Sequence, residues 1–241
     1  MVPWSGARAL LDVVGIYFVA LVSAQLIAVA VPSLFGGAGR PSVLLVLVVA
    51  TPVAVLLVAV GWLRARYGSA AVRVAGRVRW RAADLGVGFG VGLACFIGQQ
   101  VLFTALVWVL TRLGSEPPVV QDTFRAIAAD PVTAPVLAVT AVLLAPASEE
   151  LLFRGVLFEG LRARWGFWIA AFGSAGLFTL AHVGDAGGPL ADGIIVAGIL
   201  PLGLVFATLM ERRGSLLACM VAHATYNLGG VALLVGTAAG S

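Results

Sequence analysis

The sequence predicts an all-α protein, a polytopic bundle of about seven transmembrane helices with a range of six to eight. Three observations predict this fold class. Hydrophobic residues make up 61% of the 241 residues, whereas a soluble domain has roughly 45–50%. Charged residues make up only 11%. The apolar runs are about 20 residues long, enough to cross a hydrocarbon core of roughly 30 Å. The composition therefore excludes a soluble globular domain, and it excludes a disordered chain, which needs low hydrophobicity and high net charge.

The N-terminal half contains three apolar runs, which we predict to be membrane helices. They cover residues 9–31, 42–63 and 85–113. The first is too long for the apolar region of a signal peptide, which has ~7–15 residues. A Gly-Gly-Ala-Gly turn separates the first two runs, and residues 64–81 carry six arginines. The segment 115–131 is polar enough to be a loop or a surface helix.

The C-terminal half contains four further apolar runs, which complete the predicted seven. They cover residues 132–152, 167–183, 193–210 and 216–235. The first of them ends at two glutamates and is followed by a short amphipathic piece. A loop of residues 184–192 that contains Gly and Asp separates the second from the third.

The positions of the arginines predict the orientation in the membrane. The net charge is +4, and all fifteen basic residues are arginine. With a cytoplasmic N-terminus and Arg154 of the polar cluster left out, eleven arginines lie in cytoplasmic segments and three lie outside, as the preference of basic residues for cytoplasmic loops requires. We therefore predict an integral protein of the cytoplasmic (inner) membrane. The basic charge indicates topology and contact with anionic lipids, and we predict no nucleic acid as a partner.

Ionisable and strongly polar residues interrupt the C-terminal runs. A charged side chain near the bilayer centre costs at least ~2.5–3.5 kcal/mol on insertion scales, so such residues indicate a function or a specific packing role. The two histidines of the chain are among them, and both fall on predicted membrane helices. The residues are Glu149, Glu150, Arg154, His182, His223 and Asn227.

The spacing of these residues predicts different partners for the two glutamates. Glu150 and Arg154 are four residues apart, in the order that favours a salt bridge on a helix. Glu149 lies about 100° around the helix from Glu150, so it stays available when Arg154 neutralises its neighbour. His182 follows Phe178 by four residues, so the two rings can pack together.

The same four-residue spacing relates His223 to Asn227 and aims both side chains at one point of the bundle. A carboxylate, two imidazoles and an amide form a set suited to hydrolysis, because a carboxylate partly removed from water becomes a better general base. The histidine and asparagine can donate hydrogen bonds to an oxyanion. The same residues could also only hold helices together or relay protons in a transporter.

The ordered motifs resemble the CPBP family, the CAAX-protease and bacteriocin-processing intramembrane proteases, also called ABI. The family pattern is EExxxR, then FxxxH, then HxxxN or HxxxD, on separate membrane helices. This chain has EELLFR from Glu149 to Arg154, FTLAH from Phe178 to His182, and HATYN from His223 to Asn227. The resemblance covers roughly residues 132–235. We therefore divide the chain into N-terminal helices with the arginine-rich loop, 1–131, and a protease core, 132–235.

The resemblance implies a role for each matching residue. Glu149 matches the glutamate that activates water, and His182 matches the histidine that assists it. His223 and Asn227 match the residues that stabilise the oxyanion. The other matching positions, Glu150, Arg154 and Phe178, would support the site.

The family is described both as metalloproteases and as glutamate proteases, and the sequence allows either. If a zinc site exists, Glu149, His182 and His223 are its possible ligands, since His₂Glu plus water is a known catalytic set. The base would then have to be another group, and Arg154 occupies the nearest candidate, Glu150. We therefore favour a metal-free mechanism with no cofactor. Counting along the runs also places Glu149 and His182 at different depths, which conflicts with one site.

The predicted function is an intramembrane endopeptidase that hydrolyses a peptide bond through a water activated by glutamate and histidine. Its partners would be the lipid bilayer and a membrane-associated peptide or protein substrate, CAAX-like or bacteriocin-like. One alternative is a non-proteolytic membrane scaffold or bacteriocin self-immunity protein that keeps the same cluster. The other is a small transporter, against which the sequence shows no repeat and no paired interrupted helices.

Overall fold

The protein is all-α in the part that the computed structural model describes, which is residues 2–34, 40–115, 127, 128, 130, 133–183 and 188–239. The predicted turn at 36–39, most of the segment 115–131, the boundary between 131 and 132 and part of the loop 184–192 lie outside these residues. The helices are α1 (Ala7–Leu34), α2 (Arg40–Tyr67), α3 (Ser69–Ala75), α4 (Ala82–Arg112), α5 (Thr133–Trp165), α6 (Phe167–Leu180), α7 (Pro189–Arg213) and α8 (Leu216–Ala239).

Six of these helices are long and apolar enough to cross a membrane, among the residues that the structure describes. They are α1, α2, α4, α5, α7 and α8, and they confirm an integral membrane protein with a polytopic helix bundle. The run predicted at 167–183 is different. Its helix, α6, has 14 residues and ends at Leu180, and His182 lies in the turn that follows. The prediction that His182 lies on a membrane helix is therefore wrong.

Helix α5 is longer than the run predicted at 132–152, because it continues through the glutamates to Trp165. It is not a uniform α-helix. A π-helical stretch, Thr140–Leu144, precedes the short α-helical stretch Ala145–Glu149, and a second π-helical stretch, Glu150–Phe158, follows it. π-helical turns inside α-helices occur frequently at functional sites. The two candidate glutamates lie at the boundary between the α-helical stretch and the second π-helical stretch.

The centre of the bundle is the second π-helical stretch of α5. All nine of its residues are buried, and α1, α2, α6, α7 and α8 pack against it. Gly166, with φ of +83°, reverses the chain directly after α5, so that α6 returns along α5. The arrangement places the two charged side chains of this stretch, Glu150 and Arg154, inside the protein and keeps them away from lipid.

One end of the bundle is held by arginines, and we call it the arginine-rich end: residues 64–84, 159–165 and 211–216. Arg77 pairs with Glu159 and donates to the carbonyl of Gly214 at 2.9 Å. Arg213 pairs with the buried Asp84 at the start of α4. These contacts tie the segment before α4 to the ends of α5 and α7.

Helices α4 and α8 approach closely at Gly92. A Cβ atom at this position would clash with the backbone carbonyl oxygen of Ala222, which is next to His223. We expect Gly92→Leu to lower the free energy of unfolding by about 1–3 kcal/mol, the usual cost of overpacking. Thermal unfolding in detergent measures this loss. Gly90→Leu is the matched control, because a Cβ atom there meets nothing within 4 Å; equal losses in both variants would contradict the prediction.

Candidate active site

The two glutamates of α5 have different partners. Glu150 is fully buried and accepts a hydrogen bond from the Nη1 atom of Arg154 at 3.2 Å, with both side chains at 0% exposure. The side chain of Glu149 is 25% exposed and makes no ion pair with Arg154 among the described contacts. The predicted ion pair within α5 is therefore present, and Glu149 stays outside it.

Arg154 is a buried cation with several kinds of partner. Besides Glu150, its Nη2 atom donates to the backbone carbonyl of Gly203 on α7 at 3.2 Å. The guanidinium carbon lies 4.6 Å from the ring centre of Phe178 and 5.3 Å from that of Phe206. A cation over an aromatic face is stabilised by the ring quadrupole, and more so when it is desolvated. Arg154 thus joins α5, α6 and α7 at the centre of the protein.

His223 of α8 lies between the two carboxylates. Its Nδ1 atom is 2.8 Å from Oε1 of Glu150, and its Nε2 atom is 3.6 Å from Oε2 of Glu149. Since a carboxylate only accepts hydrogen bonds, Nδ1 carries the hydrogen when Glu150 is ionised. Arg154, Glu150, His223 and Glu149 therefore form a continuous chain of charged and polar groups, with Glu149 at the end.

The series of contacting groups from Arg154 to Glu149 ends at an oxygen atom without a hydrogen-bond partner. The Oε2 atom of Glu149 is buried and has no hydrogen-bond partner within the described part of the chain. A buried carboxylate oxygen without a donor is costly, and it indicates a place that water or substrate fills. The Oε2 atom of Glu150 is also buried without a partner, but its Oε1 atom is bonded to both Arg154 and His223. Glu149 has no such bond to a cation, so it is the carboxylate better able to accept a proton.

His182 is connected to the same cluster by Phe178, whose ring packs against both histidine rings. The ring centres of Phe178 and His182 are 4.7 Å apart, and those of Phe178 and His223 are 5.9 Å apart. The Nδ1 atom of His182 lies 2.8 Å from the carbonyl oxygen of Phe178, so Nδ1–H donates to it. In the neutral ring, Nε2 then has the free lone pair, which can accept a hydrogen bond from water.

The expected conflict in depth between Glu149 and His182 does not occur, because α5 continues past the glutamates to Trp165. Glu149 lies sixteen residues before Trp165, where α5 ends, and His182 lies fifteen residues after Phe167, where α6 begins. Only Gly166 separates the two helices. The two residues therefore lie at similar distances from the same turn.

Asn227, four residues after His223 on α8, is less free than the sequence suggests. Its Nδ2 atom donates to the backbone carbonyl oxygen of Ala141 at 2.7 Å. Ala141 belongs to the first π-helical stretch of α5. One of the two amide hydrogens is thus bound to backbone, and one remains for another acceptor.

Sequence reasoning missed the contributions of α1 and α7. Tyr17 of α1 packs against Phe153, with ring centres 6.5 Å apart. It also interacts electrostatically with Glu149. Gly203 and Phe206 of α7 complete the surroundings of Arg154. No charge, motif or spacing distinguishes these residues in the sequence, so no signal could have found them.

The possible zinc ligands Glu149, His182 and His223 do not form a metal site as they lie. Among the described residues, no group of three or more His, Cys, Asp or Glu side chains has the arrangement that could hold a metal ion. His223 has only its Nε2 atom left for a metal, because its Nδ1 atom is bonded to Glu150.

Comparison with known proteins gives a family for the region that holds this site. Residues 131–229 match the family model described as type II CAAX prenyl endopeptidase Rce1-like. Over 86 residues the chain is 31% identical to an uncharacterized 24.3 kDa protein of Escherichia coli, a stretch that covers 35% of this chain and 37% of that relative. The match thus spans little more than a third of the relative's length. No solved structure matches the chain at a significant level.

The matched region contains all seven residues that the sequence motifs single out, from Glu149 to Asn227. It also contains the whole of α5, which carries the buried ion pair and the carboxylate with the unsatisfied oxygen. Residues 131–229 are thus similar to the Rce1-like type II CAAX prenyl endopeptidases, and this similarity is consistent with a CPBP-family intramembrane protease.

Proposed function

We propose that the protein hydrolyses a peptide bond of a membrane-associated, CAAX-like substrate with a water molecule activated by Glu149 and His182. The observation that carries this proposal is the buried Oε2 atom of Glu149, which has no hydrogen-bond donor among the described residues. Glu150 cannot take the same role, because Arg154 and His223 both hold it. The site thus has one carboxylate that fixes the structure and one that is ready for chemistry.

The hydrolytic step follows from these positions. Glu149 takes a proton from water, and the water oxygen forms a bond to the carbonyl carbon of the scissile peptide bond. The carbonyl π electrons move to the carbonyl oxygen. When the tetrahedral intermediate collapses, the bond to nitrogen breaks, and the proton on Glu149 passes to the departing amine. The lone pair of His182 Nε2 orients the water during the attack.

The oxyanion needs donors that face the same point. Asn227 has a second amide hydrogen beyond the one given to Ala141, and His223 can donate from Nε2 when it is doubly protonated. Donors of this kind are worth ~2.7–4 kcal/mol each in known hydrolases. The proposed mechanism therefore uses Asn227 and His223 at the oxyanion, as the family resemblance implies.

The setting that we propose for this chemistry is a cytoplasmic (inner) membrane, with the N-terminus and the arginine-rich end on the cytoplasmic side. Arg73, Arg79 and Arg81 are exposed at that end, and the side chain of Trp80 is 82% exposed. Basic residues near the membrane surface attract anionic headgroups, and tryptophan prefers the headgroup level. The proposed partners are therefore the bilayer and a substrate within it, and the proposed protease core is residues 132–235.

Cleavage of a defined peptide tests the proposed function. The purified protein in liposomes is incubated with a farnesylated peptide that ends in a CAAX sequence, and mass spectrometry identifies the fragments. We expect release of the three C-terminal residues and at least tenfold slower cleavage of the same peptide without the farnesyl group. Cleavage of neither this peptide nor a set of bacteriocin-like leader peptides would contradict the proposal and favour the scaffold or immunity alternative.

The same assay addresses the metal question. We expect the rate to be unchanged, within a factor of two, after dialysis against a zinc chelator. A loss of activity that added Zn²⁺ restores would show that the ligands move together when the metal binds, and it would replace the metal-free mechanism.

A further inference from the structure

The first π-helical stretch of α5 contains a carbonyl that the helix itself does not satisfy. In an α-helix the carbonyl of residue i accepts from the N–H of residue i+4, and in a π-helix it accepts from residue i+5. For Ala141 these donors would be Ala145 and Pro146. The N–H of Ala145 is bonded to the carbonyl of Thr140, and proline has no N–H. Neither donor is therefore available to Ala141.

The proline also explains why the helix widens at this place. In a regular α-helix, the ring of Pro146 would clash with the carbonyl of residue 142, four positions earlier. An extra residue in the turn relieves this clash, and the π-helical stretch Thr140–Leu144 supplies it. The widened turn leads directly into Ala145–Glu149, the α-helical stretch that ends at the candidate base.

Asn227 supplies the hydrogen bond that Pro146 cannot make. Its Nδ2 atom is 2.7 Å from the oxygen of Ala141, and Pro146 itself is buried. In the bilayer, an unsatisfied backbone carbonyl costs several kcal/mol, so the widened turn requires such an external donor. His223 lies four residues before Asn227 on α8 and contacts both glutamates.

We propose that Asn227 is a positioning residue: it replaces the N–H that Pro146 removes, and it thereby fixes the widened turn of α5 that sets Glu149 against His223. The same donor thus aligns two elements of the site, since α8 carries His223 and α5 carries Glu149. This role is additional to a hydrogen bond from Asn227 to the oxyanion. Only the expected effect on catalysis rests on the proposed function; the expected effect on stability does not.

A double-mutant cycle tests the proposal. The variants are Asn227→Ala, Pro146→Ala and the two combined, each measured for thermal unfolding in detergent and for kcat and KM in the peptide assay. Pro146→Ala gives the backbone an N–H at residue 146, so the carbonyl of Ala141 no longer depends on Asn227. Pro201→Ala, alone and combined with Asn227→Ala, is the control, because Pro201 lies exposed inside α7.

We expect Asn227→Ala to lower Tm by several degrees and kcat by at least 10³-fold, because the variant loses the oxyanion donor, worth ~10²–10³-fold, and misplaces the site, which costs about 100-fold. With Pro146→Ala added, we expect most of the Tm loss to disappear and kcat to recover at least tenfold, while the loss of the oxyanion donor remains and KM changes less than threefold. Pro201→Ala should restore neither quantity.

Two results would overturn the proposal, and a third would count against the proposed function instead. Additive losses of Tm would mean that Asn227 does not replace the missing N–H of Pro146. Recovery of Tm without recovery of kcat would mean that Asn227 contributes to catalysis only through its hydrogen bond to the oxyanion. Absence of cleavage by every protein, the unmodified one included, would count against the proposed function, while the Tm cycle would still decide whether the hydrogen bond to Ala141 holds the widened turn.

Discussion

Glu149→Gln is expected to reduce kcat of peptide cleavage by ~10²–10⁴-fold, the contribution of a positioned general base. The amide keeps the size of the side chain but cannot take a proton from water. Because the Oε2 atom of Glu149 has no donor among the described residues, the substitution breaks no ion pair with arginine. We therefore expect Tm to change by less than about 2 °C, so that activity falls while the fold remains.

The matched control is Glu211→Gln, the same change at an exposed carboxylate. Glu211 pairs with Arg162 at 2.8 Å at the arginine-rich end, and both side chains are more than 30% exposed. This variant should cleave at the rate of the unmodified protein. If Glu149→Gln also cleaves at that rate, the base is another group and the mechanism given above is wrong.

Arg154→Met is expected to give the largest loss of stability. The arginine is fully buried, and its removal leaves the carboxylate of Glu150 without its cation in the centre of the protein. Breaking a buried pair by removing one partner costs about 3–5 kcal/mol. The loss also removes the contacts to Phe178 and Phe206. Unfolding in bilayers or detergent, followed by tryptophan fluorescence, measures the change.

Two further variants separate charge from packing in this prediction. Arg154→Met with Glu150→Gln removes both charges, so it should be more stable than Arg154→Met alone by at least ~1 kcal/mol, because no uncompensated buried charge remains. Arg162→Met breaks the exposed pair with Glu211 and should cost only ~0.2–1 kcal/mol. If Arg154→Met costs no more than Arg162→Met, the buried pair does not stabilise the bundle.

The class of fold and the ion pair of the site could be predicted because both depend on strong, local rules. A run of about 20 apolar residues requires a helix in lipid. The ion pair between Glu150 and Arg154 requires only that the two residues, four apart, lie on one helix. The same reasoning ended the run 132–152 at the glutamates, since charges usually mark the membrane boundary. Helix α5 continues to Trp165 because Arg154 neutralises Glu150 inside the protein.

The parts that could not be predicted depend on backbone details and on neighbours distant in sequence. Pro146 predicts a kink just before the glutamates, but an apolar run does not reveal that the helix becomes π-helical there. The bond from Asn227 to Ala141 has no sequence signal of its own. The end of α6 at Leu180 is hidden because Ala181 and Val183 continue the apolar run. The contact of His223 with both glutamates joins α8 to α5 across 73 residues from Glu150.

That separation of His223 from Glu150 has a consequence for biogenesis. Glu150 and Arg154 lie on one helix, so the pair can form as α5 enters the bilayer, and the insertion cost of two opposite charges falls before any neighbour arrives. His223 and Asn227 leave the ribosome more than 70 residues later. The two residues proposed to bind the oxyanion are thus absent while α5, α6 and α7 are synthesised, and the proposed site is complete only when α8 has been inserted.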